Sequence, residues 1–146
     1  MAELFANPVF VATLWAWIVA QLLKVALNSW NERRLNLRYL STMGGMPSSH
    51  SATVAALATA VGLREGTRSS LFAVALILAL VVMYDAAGVR RAAMAQARIL
   101  NQIIDELFQG HPISETRLRE LLGHTPFEVL VGALLGISIA YLTTSP

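Results

Sequence analysis

Apolar residues fill positions 8–27, 48–63, 71–84 and 126–142, and short polar or basic stretches separate these runs. A helix rises about 1.5 Å per residue, so about 20 apolar residues cross a hydrocarbon layer roughly 30 Å thick. The first run meets that length and predicts a spanning helix, with Lys24 reaching towards the headgroups near its end and Trp15, Trp17 and Trp30 as interfacial candidates. Only Glu3 is charged ahead of it and no small-residue cleavage site follows, so it is expected to be retained rather than removed as a signal peptide. The second run covers about 24 Å as a helix. Its Ala52, Ala55, Ala56, Ala58, Ala60 and Gly62 allow close approach by neighbours, so other helices are expected to shelter it, unless it extends through its polar start or thins the bilayer. From Leu71 to Phe108 nothing but Gly88 interrupts one long predicted helix. Its second half is amphipathic: Val89, Ala92, Ala93, Ile99, Leu100, Ile103, Ile104 and Leu107 oppose Arg91, Arg98, Asn101, Gln102, Asp105 and Glu106. That half should leave the bilayer or lie on it. Gly110, His111 and Pro112 end it, and Ser114 caps a short helix carrying Leu118, Leu121 and Leu122. In the last run Gly132, Gly136 and Ala140 recur every four residues, the mark of a packing face between membrane helices.

Four crossings place segments 28–47 and 89–125 on one side, and the turn 64–69 with both chain ends on the other. The first side then carries Arg33, Arg34, Arg38, Arg90, Arg91, Arg98, Arg117 and Arg119, the second only Arg64 and Arg68. Such an excess marks the cytoplasmic side. Composition agrees with a membrane protein: 55% of residues are hydrophobic and 14% charged, against about 25% charged in soluble domains. The expected fold is an all-α integral membrane protein, a single helical domain over 1–146 built as a compact bundle of about four transmembrane helices with a long amphipathic extension. A net charge of +2, with arginines scattered among apolar runs, offers no nucleic-acid surface. The absence of cysteine excludes disulfides, thiolate metal sites and a cysteine nucleophile. The partners that remain are the lipid bilayer, an amphiphilic phosphate and, through small-residue helix faces, a second copy of the chain.

Two histidines precede apolar runs, His50 the second and His124 the fourth, and the crossing parity brings both to one membrane face. His50 follows Gly44, Gly45, Met46, Pro47, Ser48 and Ser49. This stretch fits a phosphate cradle on the amides of a helix N-terminus, and it equally fits simple capping by Ser48 or Ser49. After His124, Thr125 and Glu128 match a capping box with Pro126 at the first helical position, which accounts for Glu128 but not for His124. Asp85, at the end of a spanning run, is costly there unless paired or hydrated. Arg91 either pairs with it or binds headgroups. His111 reads as a loop residue.

With these two stretches in this order, the chain resembles the type 2 phosphatidic acid phosphatase superfamily, which includes lipid-phosphate phosphatases and vanadium haloperoxidases, in its short divergent bacterial branch. Pro47, Ser48, Ser49 and His50 stand where that superfamily has Pro-Ser-Gly-His, with serine in the glycine position. His124, Pro126 and Glu128 stand for its His-x-x-x-Asp motif, with a carboxylate one methylene longer. The resemblance implies hydrolysis of a lipid phosphate or polyprenyl (pyro)phosphate in a bacterial cytoplasmic membrane, without a cofactor or metal. His124 then attacks phosphorus to form a phosphohistidine, Glu128 orients its other ring nitrogen, and His50 protonates the leaving alkoxide. The superfamily's Lys-x-x-x-x-x-x-Arg-Pro motif is incomplete, since Asn31 stands seven residues after Lys24 and no Arg-Pro occurs; Leu118 stands where Ser-Arg is expected before His124. Lys24, Arg33, Arg34, Arg38, Arg117 and Arg119 lie on the side able to replace the missing cations. Lys24, at the membrane border, and Arg38, near the glycine-proline loop, are the favoured pair, with Ser48, Ser49 and Arg91 as further substrate contacts. The missing motif residues also support a rival reading, a non-catalytic membrane scaffold or lipid-phosphate-binding protein of the same fold. The spacing of Asp85, Gly88 and Arg91 is similar to part of the CDP-alcohol phosphotransferase motif, which needs more aspartates than this region has.

Overall fold

The computed structural model describes residues 2–35, 45–107 and 124–144, without the side chains at 2, 31, 89–94 and 105–107. Arg38, His111, Arg117, Arg119 and the short helix expected at 114–122 lie outside the described residues, as does the side chain of Arg91. Apart from short connections, the described residues are helical: α1 (Ala2–Ala6), α2 (Pro8–Glu32), α3 (Ser49–Glu65), α4 (Ser70–Ala87), α5 (Val89–Leu107) and α6 (Pro126–Thr144).

Helices α2, α3, α4 and α6 each begin on a cap that the sequence provides. Asn7 Oδ1 accepts from the amides of Val9 and Phe10 at 2.9 and 3.2 Å, with Pro8 opening α2. Ser69 Oγ accepts from Phe72 N at 3.1 Å to start α4. α2 runs five residues past its expected apolar limit and ends on Arg33, which holds a left-handed φ of 53°. The amides of Arg33 and Arg34 return to the carbonyls of Trp30 and Ser29, both at 3.2 Å, in the paired pattern of a Schellman turn. The single long helix expected from Leu71 is divided at Gly88 into α4 and α5.

α2, α3, α4 and α6 form a bundle with α3 at its centre, packed against the other three. α3 and α6 run parallel: Gly132 lies on Ser48 and Gly136 on Ala52, the same four-residue step taken in the same direction. A Cβ at either glycine would overlap a backbone carbonyl of α3, so only glycine permits this approach. Gly62 near the end of α3 meets Phe72 near the start of α4, which makes that pair antiparallel. Ala12 and Ala16 of α2 pack with Ala56 and Ala60 of α3 and with Ile139 and Ala140 of α6.

The core is mostly alanine, while most large apolar side chains point outward. Val74, Ile77 and Val81 on α4 and Leu130 and Leu134 on α6 are all more than half exposed. In water such a surface would be unfavourable; in lipid it is the expected exterior, and small residues supply the close helix packing. Among the described residues, α2 over Pro8–Trp30, α4 and α6 are long and apolar enough to cross a membrane. α3, at 17 residues, is the short run that the others shelter. Three helices long and apolar enough to span thus surround a shorter fourth, in keeping with the expected bundle of about four helices and its sheltered second run.

Candidate functional site

The site forms where the N-termini of α3 and α6 meet. Because these helices are parallel, the histidine that opens each one reaches the same end of the bundle. The rings of His50 and His124 lie with centroids 6.1 Å apart and planes at 63°. His50 is exposed, whereas His124 is only 2% exposed. The backbone holds His124 from below, its amide donating to the carbonyl of Ala86 at the end of α4 (3.4 Å).

Glu128 stands one helical turn after His124. Its Oε2 accepts from Thr125 N at 2.8 Å while Thr125 Oγ1 accepts from Glu128 N at 3.2 Å, so the expected capping box is present. The same Oε2 lies 3.4 Å from Nδ1 of His124. One carboxylate therefore caps the helix and stands within ion-pair distance of the imidazole.

Ser48 ties the two motifs together. Its amide donates to the carbonyl of Glu128 at 3.2 Å, linking the start of α3 to the first turn of α6. Its hydroxyl caps α3, accepting from Ser51 N at 3.4 Å and from Ser51 Oγ at 3.1 Å, and the side chain is completely buried. The capping reading of Ser48 is thus realised, and its hydroxyl braces the loop. Ser49, also buried, is the first helical residue. The helix opens on the amides of Ser49 and His50, beside both imidazoles, and this end of a helix carries partial positive charge.

Lys24 is buried to 3% exposure, and its aliphatic stem runs under Gly45, where an added Cβ would sit 3.5 Å from Cγ and Cδ. Gly45 has φ +90°, a backbone conformation suited to glycine, and Asn28 flanks it on the same face of α2. The loop that delivers His50 is therefore seated directly on the Lys24 stem. Asp85 is exposed at the end of α4, next to Ala86. Arg91 occupies the first turn of α5. Among the described residues no cluster of three His, Cys, Asp or Glu side chains is placed to hold a metal ion.

The bonds from Ser48 to Glu128 and from His124 to Ala86, and the seat of Gly45 on Lys24, were not among the expectations, since each joins residues distant in sequence. Asn28 was missed as well; its position four residues after Lys24 was the available signal.

The arrangement brings together two imidazoles, a carboxylate within ion-pair distance of one of them, and the N-terminus of α3. A family model described as the divergent PAP2 family matches residues 5–139. The chain is 41% identical to YuiD of Bacillus subtilis (strain 168), an uncharacterized membrane protein, over an alignment covering 92% of each chain. No solved structure matches significantly.

Proposed function

Since the chain belongs to the divergent PAP2 family, we propose that it is a membrane-embedded phosphatase hydrolysing a lipid phosphate or a polyprenyl (pyro)phosphate through a phosphohistidine intermediate. The observation that carries this reading is the 6.1 Å approach of the His50 and His124 rings, with Glu128 Oε2 3.4 Å from Nδ1 of His124. An attacking atom sits about 3–3.5 Å from its target, and an acid about 2.6–3.2 Å from the oxygen it protonates. Two rings this close are near enough to reach one phosphoryl group, His124 at phosphorus and His50 at the departing oxygen.

With Nδ1 of His124 turned to Glu128, Nε2 is the attacking nitrogen. In the first step the Nε2–P bond forms, the P–O bond to the lipid breaks, and protonated His50 gives its proton to the departing oxygen. The negative carboxylate of Glu128 stabilises the positive charge that develops on the His124 ring. In the second step water attacks phosphorus, His50 takes its proton, the N–P bond breaks and inorganic phosphate departs. Lys24 and the amides of Ser49 and His50 stabilise charge on the phosphoryl oxygens. Ser48 acts by holding the loop, and Arg38 and Arg91 are assigned phosphate or headgroup contacts from their sequence positions. The arginine-rich end of the bundle, and the site with it, faces the cytoplasm.

The test is phosphate release by purified protein from phosphatidic acid and from a polyprenyl pyrophosphate. His124→Ala is expected to lower turnover by about 10³-fold or more, the scale seen when a catalytic nucleophile is lost. Equal release by both forms removes His124 from the chemistry. The near-complete burial of His124 favours one second reading, a lipid-phosphate-binding protein without turnover; binding of both lipids with no release from either is its result.

A further inference from the structure

We infer that the outer face of α2 carries a binding site for an anionic phospholipid of the surrounding bilayer, separate from the histidine site. A groove of about 620 Å³ lies at the C-terminal end of α2, lined by Ala26, Ser29, Trp30, Arg33, Arg34 and Leu35. Its size falls within the about 300–1,000 Å³ typical of small-ligand sites. At about 100° per residue, Ala26, Ser29 and Trp30 project from the side of α2 opposite Lys24, whose side chain is buried in the bundle. The groove therefore faces lipid rather than the imidazoles.

Its depth is that of the headgroups, because the stretch of α2 that is long and apolar enough to span a membrane ends at Trp30. Trp30 is 84% exposed, and an indole at this level has its ring in the apolar region and its N–H near water. Leu22 and Leu23, exposed on the preceding turns, continue the surface downward as a lane for acyl chains.

The arginines give the groove its selectivity. Arg33 holds φ 53°, a conformation that is unfavourable for any side chain and normally falls to glycine. The last turn of α2 contains no basic residue, so the two cations are placed beyond the helix end, where the Schellman turn fixes their backbone. Complementing the helix dipole alone requires only a basic residue within the last turn, not an arginine in a glycine position. Arg34 Nε pairs with Glu32 Oε2 at 3.3 Å, with the Arg34 side chain 75% and that of Glu32 29% exposed, and a pair so open to water contributes little. A phosphodiester offers the two guanidinium groups stronger, forked hydrogen bonds. The walls of Ala26, Trp30 and Leu35 suit the glycerol and upper acyl region of a lipid, and a soluble anion has no use for them.

The full chain, purified in detergent and exposed to equal amounts of phosphatidylglycerol and phosphatidylcholine, is read by native mass spectrometry. The wild type is expected to retain phosphatidylglycerol preferentially, and R33Q/R34Q to reduce that preference about 10-fold. Arg33→Gly suits the left-handed position, so it is expected to keep or raise the melting temperature while weakening lipid retention. His124→Ala is expected to retain the lipid as wild type does, and millimolar inorganic phosphate to leave it bound. Undiminished retention in R33Q/R34Q and R33G overturns the proposal. Loss of the lipid in His124→Ala moves it to the histidine site, and displacement by inorganic phosphate makes the ligand a soluble anion; either result also overturns it.

Discussion

One oxygen of Glu128 caps the helix through the amide of Thr125 and also stands 3.4 Å from Nδ1 of His124. These roles separate chemically. Glutamine accepts the same amide bond and is a regular capping-box residue, but it carries no charge to stabilise an imidazolium. Glu128→Gln is therefore expected to leave the melting temperature within a degree or two while lowering phosphate release by about 10²-fold or more, the scale of general acid-base and orienting effects. Thr125→Ala is the complementary change: loss of the cap costs about 1 kcal/mol and leaves the carboxylate in place. Thermal melts and turnover measured on both variants check the separation. At this scale the sequence was legible where partners are near neighbours. Thr125 and Glu128 disclose their capping box three residues apart, and Ser48 its cap. The bond from Ser48 to Glu128 and the seat of Gly45 on Lys24 join residues that only the folded bundle brings together, so no local pattern encodes them.

The parallel pairing of α3 with α6 sets the distance between the two imidazoles, and Gly132 and Gly136 set that pairing. Adding carbon at Gly136 drives it into the Ala52 carbonyl, and backbone has little freedom to yield. Gly136→Val is expected to destabilise the protein by about 1–3 kcal/mol, the usual range for overpacking, and to lower turnover by spreading the histidines. Ser138, exposed on the same helix, is the control: Ser138→Ala should change neither. Melting temperature in detergent and phosphate release report the two effects. The four-residue glycine spacing announced a packing face, and the apolar runs located the helices to within a few residues. The division at Gly88 was hidden, because one glycine in a helical pattern is consistent with continuation or with a break. The extension of α2 to Glu32 was hidden too, since Asn28, Ser29 and Asn31 are polar but helix-compatible once past the membrane.

For the whole molecule, parity did most of the work: alternating apolar runs put both histidines at one end before any contact was known. The short second run made that inference vulnerable; in the bundle α3 lies at the centre, packed through alanine and glycine against its three neighbours, and the two rings meet at one end. The same parity fixes a topological prediction. In a chain with no native cysteine, Leu35→Cys is expected to resist a membrane-impermeant maleimide in intact cells and Thr67→Cys to react. Equal labelling contradicts the alternating arrangement, and reversed labelling inverts the assigned orientation. The central claim concerns a covalent event between two rings, and it is tested most directly by quenching turnover of a lipid phosphate labelled with ³²P in alkali, where phosphohistidine survives, and mapping the label. The account predicts phosphorylation of His124, absent in His124→Ala; turnover with no label on the chain, or with label on another residue, contradicts it.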